Sequence, residues 1–147
     1  MSELTWIFQN LDGKKAVGKS AWKSALDLHR SIVAGLPVEC AIYFKAHHGM
    51  SNGLMCRALG VSEKTFIRWQ DEPASLLDAV YSDRLVRTAK VMGLAEEVLE
   101  DGDNAKAWLA RPQSALGNEI PQELLSTDIG AKRVENPLLQ MSNGNMA

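Results

Sequence analysis

Cysteine is scarce in this sequence, with Cys40 and Cys56 making up the whole complement of its 147 residues. They form no CxxC pair and fall within helical patterns, so neither a disulfide framework nor a zinc site is indicated. They read as buried thiols in a reducing cytoplasm. Long apolar runs are missing as well, and the longest falls far short of the roughly 20 residues that span a bilayer. The N-terminal MSELTWIFQNLDGKK places its lysines after apolar residues too sparse for a signal-peptide core. The chain therefore reads as a cytoplasmic protein with no membrane partner. Histidines number three, and the adjacent His47 and His48 diverge on a helix, so they share a metal poorly. His29 has no evident carboxylate or nucleophile beside it. With no Walker, Rossmann or nucleophile-elbow pattern present, catalysis is not expected, and no metal or cofactor is assigned.

What is present is an ordinary folded-protein composition, 46% hydrophobic and 23% charged, with a lopsided distribution of charge. The net charge of −2 hides a contrast between the halves. Residues 1–70 hold nine Lys/Arg and five Asp/Glu, a net of +4, whereas residues 71–147 hold seven and thirteen, a net of −6. Only the first half suits a polyanion.

Periodicity is helical almost throughout, with no convincing strand alternation, so the fold is expected to be all-α. Residues 20–34 put Ala21, Ala25, Leu28 and Ile32 on one face, and Gly35 stops the helix. Pro37 opens VECAIYFKAHH, which Gly49 ends. Ser51 or Asn52 caps a helix to about Leu59, and after Gly60 a second short helix runs from the Ser62 cap to about Gln70. DEPAS, residues 71–75, marks a boundary between segments 1–73 and 74–147. Beyond it, Leu85, Ala89, Met92, Ala95 and Leu99 form one apolar stripe on a helix of about 82–100. Asp103 is placed to cap NAKAWLA, Pro121 to open a helix PQELLS, and Thr127 to cap a last helix toward Leu139. Pro137 should kink or end that helix, because an interior proline costs about 3 kcal/mol, and the terminal SNGNMA should fray.

The two short helices of residues 51–70 have the pattern of a helix-turn-helix. Met55, Leu59, Val61, Phe66 and Trp69 stand where the helices must meet, Cys56 is small where they approach, and Gly60 supplies the turn. Ser62 caps the second helix, although Thr65 in place of Glu leaves no full capping box. That helix offers Ser62, Lys64, Thr65 and Arg68 as candidate DNA contacts: Arg68 for guanine edges or phosphate, Lys64 for phosphate, Thr65 for a thymine methyl. Glu63 could accept from cytosine or repel phosphate. Lys14, Lys15, Lys19 and Lys23 are further candidates for backbone contacts.

Residues 82–139 carry an ordered series of motifs: SDRLVR, AEEVL, the AxxWL of Ala105–Leu109, Pro112, ALG at 115–117, PQELL, and Gly130 followed by Val134. The series resembles the toxin-binding domain of the Xre/MbcA/ParS antitoxin family, partners of RES-domain toxins, with the helix-turn-helix standing where that family carries an Xre-like, Cro-repressor-like domain. Residues 1–19 carry no part of the likeness. The resemblance implies an antitoxin that binds a cognate NAD-consuming RES toxin and blocks its active site. It also implies binding to operator DNA of its own operon, often as a homodimer within a toxin–antitoxin complex. NAD would then belong to the partner. Trp108 and Leu109 read as core. Arg84, Arg87, Lys132, Arg133 and Asn136, with Gln140, Ser142 and Asn143 toward the tail, are the exposed candidates for toxin contact. The competing reading is a stand-alone helix-turn-helix repressor whose acidic half dimerises or senses a ligand.

Overall fold

A computed structural model describes residues 3–12 and 22–144. Among these residues the fold is all-helical, with eight α-helices, two short 3₁₀ turns and no strands; the only extended pairings are two isolated bridges, Pro37 with Leu76 and Gln113 with Glu119. The helices are α1 (Glu3–Asn10), α2 (Ala25–Ala34), α3 (Val38–His47), α4 (Asn52–Leu59), α5 (Glu63–Asp71), α6 (Ala79–Leu99), α7 (Gly102–Ala110) and α8 (Asp128–Ser142). Ser114–Leu116 and Pro121–Leu124 are the 3₁₀ turns.

Helix α6 is the axle of the molecule. The expected stripe is there, with Leu85, Ala89, Met92 and Ala95 buried, but the helix starts three residues earlier than its periodicity suggested and is covered far beyond one stripe. Thr88, Val91, Gly93 and Leu94 are buried too, because α1, α2, α4, α7 and α8 all pack against it. Its polar Ser82 is fully buried, and the hydroxyl accepts from the Leu36 amide at 2.9 Å. A distant backbone donor is thereby satisfied inside the core. One hydrophobic cluster runs through the described residues from Ile7 and Leu11 to Val134 and Leu138. The connector after α5 does not separate two cores. It returns over the α2–α3 junction, where the Leu77 amide donates to the Leu36 carbonyl and the Val38 amide to Ser75, each at 2.8 Å.

Several local expectations change. Helix α1 has no counterpart in the sequence reading; its Ile7, with Leu11 just beyond it, is fully buried against the core. Helix α2 begins at Ala25 rather than residue 20, because Ser24 caps it by accepting from the Asp27 amide. Ala25 is exposed and Leu28 buried, while Ala21, Lys14, Lys15 and Lys19 lie outside the described residues. Asp101, not Asp103, caps α7, accepting from the Asp103 amide at 2.8 Å. PQELLS forms a 3₁₀ turn instead of an α-helix.

Pro137 neither ends α8 nor prevents it from reaching Ser142. A proline removes one amide donor and crowds one carbonyl, and here the orphaned carbonyl belongs to Arg133, an exposed residue. The proline ring is buried in line with Ala131, Val134 and Leu138, so apolar burial offsets the backbone loss. The last residues of SNGNMA, 145–147, lie outside the described residues.

Candidate functional site

The helix pair of residues 52–71, expected from its sequence to be a helix-turn-helix, is built from two serine caps and one glycine. Ser51 accepts from the Leu54 amide at 3.1 Å and starts α4. Gly60 ends α4 in the left-handed region at φ 73°, and the amides of Gly60 and Val61 both donate to the Cys56 carbonyl. Ser62 then starts α5, accepting from the Thr65 amide at 3.1 Å. Met55, Leu59 and Phe66 are fully buried between the helices, with Trp69 and Cys56 close behind. Burial first, and Glu63 second, push the Cys56 thiol up from its ordinary value, so it stays a protonated packing group.

A contact from the other half fixes the turn. Arg84, on the first part of α6, donates to the Leu59 carbonyl at 2.9 Å and lies over the Tyr81 ring, 6.0 Å from its centroid. Tyr81 meets Trp69 edge to face at 5.5 Å. Any Cβ at position 60 would come within 2.5 Å of the Arg84 guanidinium, so Gly60 serves both the turn and this close approach. The first helix of the motif is also flanked by the Pro121–Leu124 turn, with Arg57 3.9 Å from Glu123.

Of the residues expected to read DNA, Ser62, Lys64 and Arg68 are exposed, while Thr65 is half-buried. The Thr65 hydroxyl is taken up by Ser62, 3.1 Å away. Thr65 and Arg68 share the wall of an open cleft of about 450 Å³ with Trp69, Glu72, Asp78 and Tyr81. Lys23 is exposed on the segment before α2. Lys64 and Arg68 carry no ion pair among the described residues, unlike Arg57, Arg87, Lys90 and Lys132. One apolar side chain interrupts their surface: Ile67 is 51% exposed.

The C-terminal candidates divide into two groups. Arg84 and Arg87, expected on the open surface, are half-buried. Arg84 holds the Leu59 carbonyl as above, and Arg87 pairs with Asp83 at 3.2 Å and donates to the Ser126 carbonyl at 3.4 Å. Their long stems pack along α6, where burial and a carbonyl acceptor replace solvent. Lys132, Arg133, Asn136, Gln140, Ser142 and Asn143 are all exposed on or just beyond α8. Helix α8 is seated by Thr127, which accepts from the Gly130 amide at 3.0 Å, and by Gly130 itself, where a Cβ would run into the Leu124 carbonyl. Its outward face also shows Ile129 at 76% and Leu139 at 45% exposure. Neither was singled out from the sequence, although their spacing from buried Val134 and Leu138 placed them away from the core. Trp108 is partly buried against the cluster and Leu109 fully so.

At the opposite end of α6, His48 is buried between three helices. Its Nε2 donates to Asn10 Oδ1 at 2.5 Å, and Asn10 in turn donates to the Trp6 carbonyl at 2.6 Å. Its Nδ1 lies 3.2 Å from the Glu96 carboxylate. Hydrogen bonding to His48 holds the Glu96 carboxyl below its ordinary value, against the opposing effect of burial. His47 stacks on Tyr43 at 5.5 Å instead of joining His48 around an ion, and among the described residues no group of three metal-ligating side chains converges. No described helix is long and apolar enough to cross a membrane.

This arrangement, two short helices joined by a glycine turn and held by a long helix that leads into a small C-terminal helical unit, is the setting for a sequence match. Residues 94–144 match the antitoxin Xre/MbcA/ParS C-terminal toxin-binding domain. Over that segment the chain is similar to the Xre/MbcA/ParS antitoxin family. It is 35% identical over 75 residues to a Pseudomonas putida protein named Antitoxin Xre, a match spanning 51% of this chain but only 45% of that relative's length. A Photorhabdus laumondii protein of the same name is 28% identical over 111 residues, covering 75% of this chain and 74% of the relative.

Proposed function

We propose that this chain is an antitoxin that binds a cognate NAD-consuming RES-domain toxin, occludes its active site, and regulates its own operon through the helix-turn-helix. The observation that carries the antitoxin reading is the match of residues 94–144 to a toxin-binding domain. On this reading residues 74–147 engage the toxin, chiefly through the outward face of α8. A protein partner favours apolar anchors ringed by polar groups, and Ile129 and Leu139 alternate there with Arg133, Asn136 and Gln140. Residues 1–73 supply the DNA-reading surface, with Lys64 and Arg68 outward on α5. Operator binding as a homodimer follows the usual pairing of two-fold protein with two-fold site. NAD is the toxin's substrate here, and this chain needs no cofactor.

The test is co-expression with a RES-domain protein encoded beside this chain, reading cellular NAD and growth. NAD should collapse with the toxin alone and hold when this chain is present, and the two should co-purify. If this chain gives no protection, the antitoxin reading fails and a stand-alone repressor becomes the working description.

A further inference from the structure

The outward face of α5 has a composition that packing does not explain. Phe66 and Trp69 define the buried side of the helix. Opposite them, at spacings of three, four and seven, stand Lys64, Ile67, Arg68 and Asp71, all exposed. Ile67 sits in the middle of that row, half open to water, and contributes nothing to the core. A β-branched apolar residue is a poor choice for a solvated helix position, both for its lower helix propensity and for its hydration. Among the described residues neither Lys64 nor Arg68 forms an ion pair, so the row presents a compact apolar knob beside two cations, with the carboxylates of Glu63 and Asp71 one turn away on either side of Ile67.

That combination fits the major groove over a thymine. The groove edge of an A·T pair carries the thymine C5-methyl group, and apolar side chains read it by contact. The adjacent cations match phosphate and guanine edges. Thr65, the residue the sequence suggested for this contact, lies to one side of the row with its hydroxyl engaged by Ser62.

We infer that Ile67 is a specificity-determining residue of this helix-turn-helix, reading the C5-methyl of a thymine in the operator major groove while Lys64 and Arg68 hold the flanking backbone and base edge. The inference rests on the DNA-binding part of the proposed function and gives it a sequence preference. Sequence-independent attraction comes from Lys64 and Arg68, and discrimination between thymine and other pyrimidines comes from Ile67.

The experiment uses the full chain and duplexes from the region upstream of its own gene, narrowed by footprinting. Each thymine in the protected site is replaced singly by deoxyuridine, which keeps base pairing and removes only the methyl. Wild type should lose affinity about fourfold at one position per half-site, the size expected for one buried methyl group. Ile67→Ala should bind the thymine and deoxyuridine duplexes equally, while Ile67→Val, which keeps branched methyls, should retain most of the discrimination. Because Ile67 is exposed, both variants should melt with wild type. The assignment is overturned if wild type binds its operator but no thymine position responds to methyl removal, or if Ile67→Ala keeps the same discrimination. Failure to bind any upstream duplex overturns the DNA-binding reading itself, and this assignment with it, a result distinguishable from the other two.

Discussion

Helices α5 and α8 are built alike and finished differently. Each opens on a hydroxyl cap, Ser62 or Thr127, and each buries one side and opens the other. On α5 the exposed cations Lys64 and Arg68 form no ion pair among the described residues. On α8, Lys132 is held 3.2 Å from Asp128, and the open face carries the exposed apolar Ile129 and Leu139 among Arg133, Asn136 and Gln140. Uncompensated charge attracts a polyanion over distance and weakens with salt; apolar anchors within a polar rim suit a protein surface. Under the proposed function, the same amphipathic design is turned toward two kinds of partner. Helix α8 packs directly on α6, whereas α5 meets α6 through the edge-to-face contact of Trp69 with Tyr81.

The largest effect that would separate these roles is structural. Gly130→Ala forces a methyl into the Leu124 carbonyl, and since the obstacle is backbone, α8 must shift. A loss of about 3 kcal/mol is expected, read as a lower denaturant midpoint. Arg84→Ala comes next. It strands the Leu59 carbonyl at the helix-turn-helix and should cost about 2 kcal/mol. It should also loosen hydrogen-exchange protection in α4 and α5 more than in α8. Equal loosening of all three would mean that Arg84 supports the whole core and not the turn.

Much of this was readable from residue types. Ser51, Gly60 and Ser62 announce the helix-turn-helix because caps and left-handed turns depend on local chemistry, and Thr127 announces α8 for the same reason. Features set by distant partners were not readable. Helix α1 is too short, at eight residues, to declare a helical period, and it gains its place from the core beneath it. The all-round burial of residues 91–95 depends on helices that come from both ends of the chain. Arg84 looked like a free surface cation because its acceptor, Leu59, lies 25 residues away. Pro137 looked like a terminator because its burial within α8 is a tertiary fact. Ile67 could have been noticed, since its spacing puts it beside Lys64 and Arg68 and away from Phe66 and Trp69.

The smallest expected effect concerns pH. The Glu96 carboxyl is held below its ordinary value by His48, so it adds stability that is fully present above the unfolded carboxylate pKa. That contribution is lost as pH falls through the ordinary carboxylate range toward the folded value. Glu96→Gln should flatten this part of the acid limb of a stability–pH curve, leaving operator and toxin binding at neutral pH unchanged. An unchanged acid limb would place the pH dependence elsewhere.

The most direct test of the division between α5 and α8 is to measure NAD and growth in cells making the toxin with wild type, Arg68→Ala or Ile129→Asp. Operator affinity would be measured on the same three proteins. Arg68→Ala should protect NAD fully while binding its operator about tenfold more weakly. Ile129→Asp should bind operator normally and fail to protect. Full protection by Ile129→Asp, or loss of protection by a folded Arg68→Ala, would contradict the account.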